Sequence, residues 1–143
     1  MLVSQILKQK GGSVFTCSPH ETTAAAAALL HARGVGALVV LDDQDHVAGI
    51  ISERDIVRVV AQQGADGLGA PVADCMSRGV IYAEPQEAVN ALLSRMTDRR
   101  IRHLPVSENG RLVGIVSIGD LVKAKIESAT HEAETLKAYI AAG

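Results

Sequence analysis

Apolar and polar positions alternate along this chain in short recurring runs, which predict alternating strands and helices. Runs rich in Val, Leu and Ile indicate strands, and apolar residues at helical spacing indicate helices. The predicted strands are residues 37–41, 47–51, 103–106 and 112–116, and the predicted helices are residues 24–30 and 88–96. Asn109 and Gly110 lie between two apolar runs and are typical of a hairpin turn, because both tolerate positive φ. The pattern predicts a mixed α/β (α+β) fold.

The pattern repeats itself. Matching residues recur 66 positions apart and, after a one-residue difference in the turn, 65 positions apart. The pairs include Pro19 with Pro85, Leu38 with Leu104, Gly49 with Gly114 and Asp55 with Asp120. Two copies are too few for a solenoid, and one copy alone would bury little surface. We therefore expect two repeats related by a pseudo-two-fold axis and packed on each other as one module.

The predicted boundaries follow from this repeat. Residues 1–63 form the first repeat, residues 64–71 a Gly-rich linker, residues 72–127 the second repeat, and residues 128–143 a C-terminal helical extension. Apolar residues in the last helix are spaced 4, 3, 4, 3 and 4 apart, as in a heptad seam: Val122, Ile126, Ala129, Ala133, Leu136 and Ile140. This seam either packs against its own repeat or contacts a second copy of the chain, and the sequence leaves both alternatives open.

Composition narrows the function classes. The chain has 143 residues, 48% of them hydrophobic and 2% aromatic, with a net charge of -2. This argues against nucleic-acid binding, which favours basic surfaces and aromatic stacking platforms. No apolar run is long enough to span a membrane, and no signal peptide is evident, so we expect a cytoplasmic protein without membrane partners. Cys17 and Cys75 suit buried thiols better than a disulfide framework.

Candidate chemistry lies where each returning strand meets the next helix. The segments at residues 49–55 and 114–120 share the order Gly, two apolar residues, Ser, two variable residues and Asp. A single such segment would indicate helix capping. Its duplication favours a pair of ligand sites, in which the carboxylate binds a ribose diol and phosphate lies near the helix N-terminus. No set of catalytic residues can be assembled and the histidines lack metal-ligand spacing, so neither an enzyme nor a metal site is predicted.

These segments resemble cystathionine β-synthase (CBS) domains. The resemblance is carried by residues 35–40, 49–57, 99–106 and 114–123, and it covers nearly the whole chain. The complete chain is similar to a small stand-alone bacterial CBS pair, also called a Bateman module. The resemblance implies an adenosyl ligand in the cleft between the two repeats, with each site drawing on both copies.

The resemblance also implies the contacts of each site. The first site would use Ser52 and Asp55 for ribose and phosphate, Ile50, Val80, Ile81 and Ile101 around adenine, the backbone of Gly79 to Ile81 at its edge, and Arg102 and His103 facing the phosphate. The second would use Ser117, Asp120, Ile115, Val14, Phe15 and Val35, with Gly36 and Ala37 in place of the Arg–His pair. Apart from the resemblance, a cation from Arg54 or Lys123 reaching this second site would offset the missing pair. We therefore expect unequal sites, the Asp55 site being the tighter one for phosphorylated ligands.

The predicted function is a non-enzymatic regulatory sensor of AMP, ADP, ATP or NAD(H), bound as a regulatory ligand without any covalent cofactor. An S-adenosyl compound is an alternative ligand. A structural dimerisation module with empty clefts is the alternative from another class. Because the apolar helix faces are too extensive to be buried inside one small chain, a homodimer is also predicted.

Overall fold

The computed structural model describes residues 1–142 and has the predicted mixed α/β architecture. The helices are α1 (Val3–Lys10), α2 (Thr23–Arg33), α3 (Glu53–Gln63), α4 (Val72–Cys75), α5 (Val89–Arg99) and α6 (Ile118–Ala142). The strands are β1 (Thr16–Cys17), β2 (Ala37–Leu41), β3 (Val47–Ser52), β4 (His103–Glu108) and β5 (Arg111–Ser117). The predicted strands and helices are therefore confirmed, with differences of a few residues at their ends.

The chain forms two compact units, which we call the middle unit (Val14–Ile81) and the outer unit (Met1–Ser13 together with the chain from Tyr82 onward). Helix α1 belongs to the outer unit, where the Val3 amide donates to the Glu87 carbonyl at 3.0 Å and the Ser4 amide to the Pro85 carbonyl at 2.8 Å. The boundaries of these two units therefore differ from the repeat boundaries predicted from the sequence. The repeat boundaries remain a prediction.

The middle unit contains a three-stranded sheet in the order β1-β2-β3. Strand β1 runs parallel to β2, and β3 returns antiparallel with Ala37 opposite Ser52. The central strand β2 is buried along its first four residues, which explains its continuous apolar sequence. Its core consists of Cys17, Ala26, Leu30, Leu38, Val40, Ile51, Val72 and Met76. In the segment predicted to be a linker, residues 64–69 form a 3-10 helix with Gly67 buried.

The outer unit repeats this arrangement with a shorter sheet. Strands β4 and β5 form an antiparallel hairpin, with His103 opposite Ser117. Asn109 and Gly110 have φ values of 53° and 78°, which confirms the turn predicted from their residue types. Ala83 forms a single parallel bridge with Val106, in the position that β1 occupies in the middle unit. The fully buried side chains of the outer unit include Val3, Leu92, Met96, Leu104, Val106, Val116 and Leu121.

Helix α6 packs on the outer unit through a different face from its heptad seam. Leu121 and Ala124 are buried, and the Lys125 ammonium donates to the Asn90 side chain of α5 at 2.8 Å. The six seam residues are all exposed; Ile126 and Ile140 keep 61% and 67% of their surface accessible. Within this chain the seam therefore does not pack on its own unit. No helix in residues 1–142 is both long enough and apolar enough to cross a membrane.

Candidate functional site

In the middle unit, Ser52 and Asp55 hold each other at the start of α3. The Ser52 amide donates to Asp55 Oδ2 at 2.9 Å, the Ser52 hydroxyl donates to the same oxygen at 3.1 Å, and the Asp55 amide donates back to Ser52 Oγ at 3.3 Å. This is a capping box, and Asp55 is only 3% exposed. Arg58, one turn further along α3, lies 3.2 Å from Asp55 Oδ1. The carboxylate therefore already has a structural role in this unit.

In the outer unit, Ser117 and Asp120 repeat this geometry at the start of α6. The Ser117 amide donates to Asp120 Oδ2 at 2.8 Å, and the Asp120 amide donates to Ser117 Oγ at 3.1 Å. The second partner of the carboxylate differs, because the Lys10 ammonium of α1 lies 2.7 Å from Asp120 Oδ2. Lys10 also donates to the Ile115 carbonyl at 2.9 Å. The two motifs are thus alike in their caps and different in their cations.

The balance of forces on Asp120 favours its charged form. Burial acts to raise the pKa of this carboxyl, but the hydrogen bond from Lys10, the bonds from Ser117 and the positive charge of Lys10 outweigh it. The net result is a pKa below the ordinary value for aspartate. Asp120 is therefore an ionised carboxylate at neutral pH, partly exposed and paired with an ammonium group.

Strand pairing places the beginning of one strand beside each motif. In the middle unit Ala37 pairs with Ser52, and the Glu53 amide donates to the Gly36 carbonyl at 3.0 Å. In the outer unit His103 pairs with Ser117, and the Ile118 amide donates to the Arg102 carbonyl at 2.8 Å. His103 is half-buried, whereas the side chain of Arg102 is exposed.

The residues of the two predicted sites are distributed over both units. The middle unit holds Val14, Phe15, Val35, Gly36, Ala37, Ile50, Ser52, Arg54, Asp55, Gly79, Val80 and Ile81. The outer unit holds Ile101, Arg102, His103, Ile115, Ser117 and Asp120. Within one unit, the motif and the strand beginning beside it come together as described above. The assembly of sites from both units remains a prediction.

Three charged partners of these residues are missing from the sites predicted from the sequence. Lys10 and Arg58 bind the two motif carboxylates, and the guanidinium of Arg33 lies 4.9 Å from the centre of the Phe15 ring. Arg58 is three residues from Asp55 on a helix, so its ion pair is predictable from spacing. Nothing in the sequence connects Lys10 with Asp120, which is 110 residues away.

The two cysteines differ in their environments. Cys17 is buried in the core, as predicted, and Cys75 is half-buried with its Sγ atom 3.3 Å from the Thr23 hydroxyl. Burial, together with the nearby Glu21 and Cys75, raises the pKa of Cys17 to about 11. Cys17 is thus a protonated thiol at neutral pH. Among residues 1–142, no three His, Cys, Asp or Glu side chains are grouped to hold a metal ion.

Comparison with known proteins identifies the family to which these two motifs belong. The CBS domain family matches the chain twice, at residues 3–62 and 72–127. The chain is a member of the CBS-domain family. The two matches cover both copies of the strand–Ser–Asp arrangement, so the repeat seen in the sequence is a tandem CBS pair, as the resemblance implied.

Curated and structurally solved relatives agree with this assignment. The mitochondrial CBS domain-containing protein CBSX3 of Arabidopsis thaliana is 37% identical over 99% of this chain and 72% of its own length. The crystal structure of a CBS-domain containing protein from Agrobacterium tumefaciens is 44% identical, with a TM-score of 0.85 over 87% of this chain and 92% of that one. The shared fold is therefore that of a CBS pair.

One solved relative carries ligands. The CBS domain pair of protein MJ0100, in complex with 5'-methylthioadenosine and S-adenosyl-L-methionine, is 26% identical to this chain. Its TM-score is 0.79 over 90% of this chain and 98% of that one. CBS pairs are regulatory modules that bind ligands containing adenosine.

Proposed function

We propose that this CBS pair is a regulatory sensor that binds adenine nucleotides, namely AMP, ADP, ATP or NAD(H), through its two Ser–Asp motifs. The observation that carries the proposal is the duplicated motif geometry, in which Asp55 and Asp120 each stand at a strand-to-helix junction with a Ser hydroxyl beside the helix N-terminus. A carboxylate can accept hydrogen bonds from a ribose diol, and a helix N-terminus with a hydroxyl suits phosphate. We expect micromolar affinity, which corresponds to about -8 kcal/mol.

S-adenosyl compounds are the second ligand class, favoured by the ligands bound to MJ0100. They share the adenosine with nucleotides, but where AMP carries an anionic phosphate, S-adenosylmethionine carries a cationic sulfonium group and 5'-methylthioadenosine a neutral thioether. Arg102 separates the two classes, because we propose that its exposed guanidinium faces the phosphate of a ligand bound at Asp55. A cation there favours AMP and disfavours S-adenosylmethionine.

Calorimetric titration of the purified chain with AMP, ATP, NADH, S-adenosylmethionine and adenosine tests this function. Arg102→Ala is expected to weaken AMP binding by about 1.5–3 kcal/mol, the range for hydrogen bonds to charged groups, and to leave adenosine binding unchanged. Arg99→Ala, an exposed arginine at the end of α5, is the matched control. No binding of any of these compounds to the wild-type chain would leave the structural dimerisation module as the better account. Equal losses of AMP affinity in both arginine variants would contradict the phosphate contact.

We further propose that a second copy of the chain covers the exposed seam of α6 as a parallel coiled coil. In the heptad register, Ile126, Ala133 and Ile140 occupy a positions, while Val122, Ala129 and Leu136 occupy d positions. Glu132 is then at g and Lys137 at the following e position. In a parallel pair, g of one helix faces e of the other, so the two charges attract; an antiparallel pair would not align them in this way.

Sedimentation equilibrium tests this dimer. We expect a species of about twice 15.0 kDa at micromolar concentration. Ile126→Lys is expected to give monomers, because it buries a charge in the seam, whereas Thr135→Lys, at an exposed c position away from the seam, is the control. Glu132→Lys is expected to weaken the dimer, and Glu132→Lys with Lys137→Glu to restore it. A wild-type chain of 15.0 kDa at that concentration would refute the proposal.

A further inference from the structure

The two motifs differ most in what already occupies them. The Lys10 ammonium spans two acceptors on residues that the family resemblance places in the second site, the Asp120 carboxylate at 2.7 Å and the Ile115 carbonyl at 2.9 Å. The Lys10 and Asp120 side chains are 33% and 25% exposed, so their ion pair is partly shielded from water. Charge-assisted hydrogen bonds of this kind are about twice as strong as neutral ones.

The middle unit satisfies the corresponding groups without a lysine. The carbonyl of Ile50, the counterpart of Ile115, accepts a hydrogen bond from the Ser77 amide at 2.9 Å. Asp55 takes its cation, Arg58, from its own helix. In the outer unit, Lys10 therefore replaces both the Ser77 amide and the Arg58 guanidinium, and it comes from a separate segment of the chain.

Helix length explains why a lysine reaches the motif in one unit only. Helix α1 has eight residues and ends at Lys10, whereas α4 has four and ends at Cys75. A Cβ atom on Gly114 would lie 2.6 Å from Leu7 Cδ2, so α1 packs directly on the β5 glycine. Gly49 makes the same close approach to Met76, just after α4. The extra turn of α1 beyond Leu7 carries Lys10 to Asp120.

The carboxylate oxygen that Lys10 contacts is fully engaged. Asp120 Oδ2 accepts from the Ser117 amide and from Lys10, which together use both of its lone-pair positions. A vicinal diol that donates to both carboxylate oxygens needs one of these positions. At Asp55 the equivalent second donor to Oδ2 is the Ser52 hydroxyl, which can rotate away without moving any other element. Displacing Lys10 instead breaks two hydrogen bonds that its charged ammonium group donates, one to Asp120 and one to the Ile115 carbonyl.

The cavity beside the ion pair is small. Its volume is about 90 Å³, and its lining residues are Ile6, Gln9, Lys10, Asp120, Lys123, Ala124 and Glu127. Pockets that hold drug-sized ligands have volumes of about 300–1,000 Å³. The groove between α1 and α6 beside the ion pair is therefore too small to enclose an adenosine with Lys10 in place.

We propose that Lys10 gates the Asp120 site: its ammonium occupies the ribose-binding carboxylate, and ligand binds there only when Lys10 is released. The inference rests on the proposed function, since it requires that Asp120 bind ribose. It makes α1 a built-in competitor for one of the two sites.

Adenosine is the probe, because it lacks a phosphate that could itself pair with Lys10. Binding is read site by site from amide NMR shifts, with Gly119 and Asp120 reporting one motif and Arg54 and Asp55 the other. Lys10→Met keeps the length of the side chain and removes its charge. We expect it to lower the apparent Kd at Gly119 about fivefold and to leave the Kd at Arg54 unchanged, while Lys10→Arg gives no gain.

Lys8→Met, an exposed lysine on the same helix, is the matched control and is expected to change neither Kd. An unchanged or weaker affinity at Gly119 in Lys10→Met, with normal binding at Arg54, would overturn the gate and leave the proposed function standing. Absence of shifts at both motifs in every chain, with AMP as well as with adenosine, would overturn the proposed function and the gate together.

Discussion

Substituting alanine for each of the two motif glycines tests how the structure uses them. A Cβ atom on Gly49 would lie 2.7 Å from the Ser77 carbonyl oxygen and 2.8 Å from Met76 Sδ. A Cβ atom on Gly114 would meet only the Leu7 side chain, at 2.6 Å from Cδ2. The first obstacle is backbone and the second is the end of a flexible side chain, so we expect unequal costs from the same substitution.

The magnitudes follow from what must move. To relieve the clash in Gly49→Ala, β3 must move away from Ser77. This breaks the hydrogen bonds from the Ile50 amide to the Ser77 carbonyl at 3.0 Å and from the Ser77 amide to the Ile50 carbonyl at 2.9 Å. Losing two such bonds costs about 1 kcal/mol each, and overpacking costs about 1–3 kcal/mol more. Alanine also lowers the conformational entropy of the unfolded chain, which offsets about 0.4–1 kcal/mol of this destabilisation. We expect a net loss of about 2–4 kcal/mol for Gly49→Ala and about 1 kcal/mol for Gly114→Ala, where a rotamer change of Leu7 suffices.

Urea denaturation followed by circular dichroism measures the free energy of unfolding of each variant. Gly69→Ala, where an added methyl group meets nothing within 4 Å, is the control and should stay within about 0.5 kcal/mol of wild type. A double-mutant cycle sharpens the comparison: Leu7→Ala should relieve Gly114→Ala, whereas Met76→Ala should not relieve Gly49→Ala, because the Ser77 carbonyl remains. A loss for Gly114→Ala equal to or larger than that for Gly49→Ala would refute this reasoning.

Three further predictions concern a helix end, an ion pair and a thiol. Arg100 ends α5 with a φ of 54°, a conformation that glycine adopts at lower cost, so thermal denaturation should show Arg100→Gly stabilised by about 0.5–1 kcal/mol. The pKa of Asp120 is lowered in the folded chain, so the stability that its ion pair adds is present above the unfolded pKa and is lost as the pH falls through the folded pKa. Lys10→Met should therefore lower the free energy of unfolding by about 0.5 kcal/mol near neutral pH and by progressively less in acid. With a pKa of about 11 against an ordinary 9.0, Cys17 should react with iodoacetamide roughly a hundredfold more slowly than a free thiol near pH 8; mass spectrometry showing the full rate there would contradict its burial.

Local pattern was sufficient for the elements and for the repeat. The β2 strand lies at residues 37–41, as its apolar run predicts, and the Asn109 turn adopts the positive φ that its residue type tolerates. Both depend on neighbours in the sequence: a buried strand needs consecutive apolar residues, and a tight hairpin needs residues with little cost at positive φ. The Ser–Asp pairs likewise stand three residues apart, so their hydrogen bonds follow from helix geometry alone.

Only the tertiary structure decided which surfaces and charges meet. Helix α1 opens the first repeat in sequence yet packs in the outer unit with the second, and this brings Lys10 to Asp120 across 110 residues. The heptad spacing of α6 did not reveal whether its seam was covered; Leu121 and Ala124 take the inner face and leave Ile126 exposed. Spacing along the chain specifies a helix face but not its neighbour, because contacts between distant segments depend on how whole elements pack and not on local backbone preference.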